Sequence, residues 1–473
     1  MEHRTKRNHP RFDLIAEYES MNESGDLGYL EENDFHLLIN YYEDEFLIDQ
    51  AIEVADYAII QHPFCVEFLM IKARLLLSDD KPYRAMQFLD KAEVMSPFEL
   101  DVYLLRARVF SALGEVGQAK TLLEDAQKFS PGSEDRIEIY LCEAAIHENV
   151  KDFDLMFSAL SKALREDPSN VEALERVWVS VELSRKYKES ITLHLELIEN
   201  DPYLFQAWFN LGHAYSCIGE YRKAIEALEY SFLINSDFEL GYLDCAELCC
   251  QERLFSKALD IYQEMNTRFG ADSDDMVKMA ECQFEMKQFD ASMETLIQAM
   301  RMDSYNDEVF YFIGKCFVAQ NKLHNAKGAF IKAIELEDRR EEYYAELANV
   351  YATMQERGKA DFYFRKATEI GPEQEYYWVQ HCRFLISAGE YEKALEVNDE
   401  ADQHTFGAEL IYCKAICLFK LSEKRKALKV LDEALVEQFS QHTIMYDLCP
   451  EFRQDAEIES IVKYYKGEFV QTL

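Results

Sequence analysis

The chain has 473 residues, 48% hydrophobic and 29% charged, with a formal net charge of −39. So acidic a surface repels a phosphate backbone, which argues against nucleic acid and anionic membrane as partners and favours proteins or peptides with a basic face. With 16 Gly and 9 Pro, few turns call for special backbone angles, and the balance of residues points to helix.

The first segment, 1–31, is a basic arm carrying Arg4, Lys6, Arg7 and Arg11. Asp13, Glu17 and Glu19 interrupt any apolar run behind it, so no signal peptide is expected. Phe12 to Met21 can form one short capping helix with Leu14, Ile15, Tyr18 and Met21 inward, followed by a loop over Gly25–Tyr29. No run of 18 apolar residues occurs, so no membrane span is expected. The 12 Cys are scattered without a CxxC pair, which fits reduced thiols and a cytoplasmic setting.

Residues 32–441 carry a repeat of 34 residues. Twelve units begin at Glu32, Val66, Leu100, Ile137, Val171, Phe205, Glu239, Ser273, Asp307, Glu341, Glu375 and Ala408. Three extra residues fall near Glu134–Arg136, and one is missing before Ala408. Position 20 of the units is mostly Ala, as in Ala51, Ala85, Ala224, Ala326 and Ala427. Position 8 is small in ten units, including Ala73, Ala107, Gly212, Gly314 and Ala348. Small side chains at these two places let a first helix (A) and a second helix (B) cross closely. Trp178 at position 8 and Met156 at position 20 break the rule, so distorted crossings are expected in units 4 and 5. Pro63, Pro97, Pro131, Pro168, Pro202 and Pro372 end units, because proline cannot continue helix B. Units 6 to 9 end in Ser236, Gly270, Ser304 and Asp338 instead, and Thr267–Asp275 reads as the best hinge. Residues 442–473 read as C-terminal capping helices.

The unit from Phe205, with Trp208, Leu211, Gly212, Tyr215, Ala224 and Leu228, resembles the tetratricopeptide repeat pattern W-x2-L-G-x2-Y…A. The resemblance implies an all-α, right-handed α-α superhelical solenoid of tetratricopeptide-type helix pairs. It also implies a protein–protein interaction scaffold that holds a partner segment in a concave groove lined by positions 2, 5, 9, 12 and 13 of helix A. Those positions supply the candidate binding residues: the acids Glu67, Asp101, Glu308 and Glu342, the basic pair Arg74 and Arg108, and the aromatics Phe209, Tyr311, Tyr376 and Tyr412. Acids in a first turn also suit the helix dipole, and the two arginines can pair with a ligand carboxylate or, as the reading preferred here, with Glu67 and Asp101. His36 stands where the clamp for chaperone tails needs Lys, so that ligand class is not expected.

No HExxH, P-loop, GxSxG or GxGxxG pattern is present, so neither catalysis nor a cofactor or metal is expected. Cys245 with Cys249, and Cys413 with Cys417, lie one helical turn apart and read as core filler. Two other readings remain beside the scaffold: a non-catalytic subunit of an enzyme complex, and a self-associating protein that forms a homodimer.

Overall fold

The computed structural model describes residues 14–20, 28–129 and 132–472, with side chains to residue 467. Arg4, Lys6, Arg7, Arg11, Met21 and Pro131 lie outside the described residues. The chain is an all-α helical repeat solenoid, and no β-strand occurs among the described residues. It divides into two compact units, Met1–Gly241 and Tyr242–Leu473. Thr267–Asp275 lies inside the second, and there helices Phe255–Phe269 and Ser273–Glu285 leave only residues 270–272 between them.

In most repeats helix A has 13 residues and helix B 14, as in Phe205–Cys217 with Tyr221–Ile234 and Asp307–Ala319 with Leu323–Leu336. Their crossing is built on the small positions. Ala85, Ala224, Ala326 and Ala427 are fully buried, as are Ala73, Ala107 and Ala348. A Cβ on Gly212 would stand 2.7 Å from Leu228 and 3.2 Å from the Ala224 carbonyl oxygen. On Gly314 it would meet the Phe330 ring at 2.5 Å. Helices this close leave no space for a methyl group, so large neighbours such as Leu228 and Phe330 fill the flanks.

A second regularity lies in the turn from A to B. In all twelve repeats the fifteenth residue has positive φ, from Phe46 (φ 59) and Asp80 (φ 53) to Gly219 (φ 79), Lys287 (φ 62) and Ser422 (φ 66). The following residue's N–H bonds back to the carbonyl five residues earlier, as in Leu47 to Tyr42 (2.8 Å) and Gln288 to Gln283 (2.8 Å). The positive-φ residue bonds back three residues, as Lys287 does to Phe284 (2.8 Å). This is the double hydrogen bond of a Schellman helix end. Only Gly114, Gly219 and Gly389 supply glycine there.

Two tryptophans explain why the repeat begins as it does. The indole N–H of Trp208 donates to the Pro202 carbonyl (2.9 Å), and that of Trp378 donates to the Pro372 carbonyl (2.8 Å). Each pins helix A to the proline turn that precedes it. Asn306 does comparable work where proline is missing. Its side-chain oxygen accepts from Glu308 and Val309, and its amide donates to Ser273 Oγ (2.9 Å) and Asp274 (2.7 Å) of the preceding repeat.

The irregular repeats behave differently from one another. The three extra residues do not loop out. Helix A of the fourth repeat runs Ser133–Asn149, 17 residues, one turn longer than its neighbours. Arg136 in that added turn grips Glu166 through Nε–Oε1 (3.0 Å) and Nη2–Oε2 (2.6 Å). Met156 does not distort its crossing: it is fully buried opposite Ala144, and a flexible thioether accommodates the gap. Trp178 does. Helices Val171–Ser184 and Tyr187–Asn200 pack more loosely than the other A–B pairs whose packing is described. The turn at Arg185 keeps the left-handed residue, but the N–H of Arg185 reaches Val181 four residues back. An indole cannot sit where an alanine holds two backbones together. The missing residue is taken from helix B of the eleventh repeat, Tyr391–Ala401, which has 11 residues.

At the N-terminal end, residues 14–20 are helical, and Ile15 and Tyr18 are buried, the latter with its ring 6.3 Å from that of Tyr42. The chain closes with Thr443–Leu448, a 3-10 turn Pro450–Gln454 and Ala456–Thr472. In the last helix Ile458 and Val462 join the core around Tyr412, Cys417 and Leu431.

Candidate functional site

In the first compact unit, helices Val66–Ser78, Leu100–Ala112 and Ser133–Asn149 run side by side and enclose a groove of about 260 Å³. Position 2 of each repeat supplies a carboxylate, Glu67, Asp101 and Glu138, the last standing in the second turn of its longer helix. Position 9 of the first two supplies Arg74 and Arg108. Seven residues of helix separate positions 2 and 9, so the two kinds of charge stand roughly 10 Å apart along each axis. Met70, Ile71, Leu104 and Leu105 line the floor between them. Four of the sequence candidates, Glu67, Arg74, Asp101 and Arg108, thus meet in one cleft.

The electrostatics of this cleft are those of crowded acids. Burial and then the neighbouring Asp101 and Asp135 carboxylates push Glu138 above the usual carboxylate range, with Arg108 working against them. Arg74 does not pair with Glu67 or Asp101. Its guanidinium reaches Glu43 of the preceding repeat (2.9 Å). Nearby Arg106 faces away and binds Glu93 and Asp90 on helix B. Glu138 belongs to the row of acids at position 2 that the sequence places along the groove, whereas sequence reasoning passed over Met70 and Leu104. Their signal was present: both occupy position 5, which the family pattern assigns to the concave face.

The remaining candidates do not join this cleft. In the second unit Glu308 (2.7 Å), Glu342 (3.6 Å) and Asp307 (3.6 Å) all approach the Arg340 guanidinium. These acids share one counter-charge, Glu308 making the shortest contact. Tyr311 packs on Tyr343 (4.9 Å between centroids) and beside Phe312 and Phe330. Lys315 stands over the Phe284, Phe312 and Tyr311 rings at 4.8, 4.9 and 5.5 Å. Tyr376 is exposed, edge-on to Tyr377. Phe209, in the first unit, is half-buried between His213 (4.4 Å) and Phe238 (4.9 Å). Tyr412 corrects the sequence reading: it is fully buried, and its hydroxyl donates to the Gln438 carbonyl (3.1 Å). Helix A of the twelfth repeat is covered by the elements that follow it, so its fifth position faces core.

Among the described residues no group of three or more His, Cys, Asp or Glu side chains could hold a metal ion. No helix among them is long and apolar enough to cross a membrane. Two tetratricopeptide repeat models match the sequence, one over residues 195–226 and one over residues 341–374. The chain is a tetratricopeptide repeat protein. Proteins built on this repeat act in general as interaction scaffolds, and a protein or peptide is the partner class.

No curated protein matches the chain. Similar solved structures include the APC/C hetero-tetramer Cut9–Hcn1, at 13% identity over 90% of this chain and 95% of that one, with a TM-score of 0.38. YrrB, described as a tetratricopeptide repeat protein with an unusual peptide-binding site, is 16% identical over 39% of this chain and 95% of its own, with a TM-score of 0.31. A thermophilic tetratricopeptide repeat protein of Thermus thermophilus is 18% identical over 38% of this chain and 99% of its own, with a TM-score of 0.34.

Proposed function

We propose that the cleft across the second, third and fourth repeats is where this scaffold takes hold of a partner segment bearing basic side chains. The observation that carries the reading is the convergence of Glu67, Asp101 and Glu138 above an apolar floor. A cation entering there offsets the burial and the Asp101 and Asp135 repulsion that together lift Glu138. Met70 and Leu104 offer an apolar seat beside it, and Arg108 stands within reach of an acidic group further along the same segment. A basic residue, an apolar residue and an acidic residue in succession is the ligand pattern that fits. The overall charge of −39 adds long-range attraction for such a segment.

The test is a photo-crosslinking amino acid placed at Met70 in the full chain, with the same probe at exposed Tyr83 on helix B as control. The Met70 probe is expected to capture a partner that the Tyr83 probe does not. Capture is expected to fall with added salt and to disappear when Glu67, Asp101 and Glu138 are all changed to Lys. Capture that survives the triple reversal rejects the reading.

A further inference from the structure

Two cysteines of successive repeats meet in the second compact unit. Cys250 lies at the end of helix Glu239–Gln251, and Cys282 lies in helix Ser273–Glu285 of the next repeat. Their Sγ atoms are 3.4 Å apart, and both are free thiols. Cys250 opens on a cavity of about 600 Å³ lined also by Tyr262, Lys278, Glu281 and Glu285, whereas Cys282 is buried behind it. Tyr262 is fully buried, and its hydroxyl has no hydrogen-bond partner among the described residues. Two other buried thiols are held singly: Cys142 donates to the Leu104 carbonyl and Cys316 to the Ser292 hydroxyl.

We infer that Cys250 and Cys282 are a peroxide-reactive dithiol, which hydrogen peroxide converts to a disulfide joining the seventh repeat to the eighth. The division of labour follows from the geometry. Cys250 is the sulfur a solute can reach, and Cys282 is placed behind it to resolve. When Cys250 is the thiolate, the S–H of Cys282 can donate to its sulfur, and this contact draws the Cys250 thiol below its ordinary value despite burial. The same contact, with burial, pushes Cys282 up. A thiolate at the mouth and a thiol behind it is the arrangement that oxidises selectively.

The Cys250 thiolate, its proton already lost to solvent, attacks one peroxide oxygen. The O–O bond breaks, and the departing hydroxide leaves as water with the Cys282 proton. Cys250 becomes a sulfenic acid, oxidised by two electrons while the peroxide is reduced. The Cys282 thiolate then attacks the Cys250 sulfur, and the S–O bond breaks. The second hydroxide takes a proton from solvent. Two thiols and one peroxide give one disulfide and two waters.

The experiment titrates the full chain with hydrogen peroxide, alkylates what remains reduced, and maps every cysteine by mass. The first event is expected to be the loss of two thiols per chain, with a Cys250–Cys282 cross-linked peptide that dithiothreitol reverses. Oxidation is expected to raise the melting temperature of the wild type and leave that of Cys282→Ser unchanged. In Cys282→Ser, dimedone is expected to trap Cys250 as sulfenic acid. Cys250→Ser, at a partly exposed site, is expected to abolish the first thiol loss. Oxidation of any other cysteine while these two stay reduced overturns the inference. So does oxidation of Cys250 to sulfinic acid with Cys282 still free.

Discussion

The Nδ1–H of His194 donates to the carbonyl oxygen of Ser190, one turn earlier on the same helix, at 2.8 Å. Its Nε2 is buried without a partner among the described residues. This histidine sits in helix B of the fifth repeat, the repeat that Trp178 holds open. Burial depresses its pKa from 6.5 to about 4, so the folded state keeps the ring neutral where an unfolded chain binds a proton. The sign follows directly. Stability from this group is complete above about pH 6.5 and is lost as pH falls toward 4, because the unfolded state then holds more protons. Over that window the loss amounts to roughly 3 kcal/mol. Urea melts between pH 7 and pH 4 are expected to show it, and His194→Leu is expected to flatten that part of the profile.

The left-handed residue at each A–B turn makes a second expectation. Gly219→Ala is expected to cost about 1 kcal/mol, since a Cβ is strained at positive φ although nothing crowds it. Lys287→Gly is expected to gain up to about 1 kcal/mol, the relief being offset in part by the greater freedom of glycine in the unfolded chain. Paired chemical melts of the two variants measure both.

Two glycines in one helix pair should respond in opposite directions. Gly314→Ala drives a methyl into the Phe330 ring and is expected to cost about 1–3 kcal/mol by overpacking. Gly328 is exposed on helix B with nothing near its absent Cβ. Gly328→Ala is therefore expected to stabilise by about 0.5–1 kcal/mol. A result with the same sign for both would mean that helix propensity, not the crossing, governs this pair.

Asn306 should be sensitive even to a close mimic. Asn306→Ala removes a helix cap, worth about 1 kcal/mol, and strands the Ser273 and Asp274 acceptors it serves. Asn306→Asp keeps the cap but faces the Asp274 carboxylate at hydrogen-bond range. It is expected to destabilise as well, and to recover below about pH 4 as one acid takes up a proton. Thermal melts at about pH 7 and pH 3.5, either side of the ordinary carboxylate range, separate the two variants.

Much of the fold was legible because the crossing of two helices tolerates so little. Ala224 opposite Gly212, repeated at fixed intervals, has few explanations other than nested helices. Trp178 was legible by the same rule, as the place where nesting fails. Met156 was misjudged because volume alone was weighed, without the flexibility of its thioether. The register break at Glu134–Arg136 could be counted, but whether three residues loop out or lengthen a helix depends on a partner such as Glu166, far along the chain. The left-handed turn was invisible for a related reason. Phe46, Asp80, Lys287 and Ser422 share no chemistry, so no residue type marked the place.

Of the candidate site, the acids and arginines at positions 2 and 9 were legible as a face, not as a cleft. Which of them remain available depended on pairings such as Arg340 with Glu308, made from a turn that the repeat pattern does not specify. Tyr412 was misread because position 5 faces outward only where no later element covers it.

The indifference of the A–B turn to residue type has a further consequence. Phe46 at that turn is 89% exposed, and Asp80, Lys151, Arg185, Arg253, Asn321 and Gln355 are open to solvent to differing degrees. Helix geometry dictates the backbone at each tip, while the side chain there answers to nothing inside. Each of these tips is a blank socket facing solvent, where evolution can swap acid for base or aromatic for amide at little energetic risk. Selection can thus redraw the exterior of such a protein one bead at a time, without retouching a single buried contact.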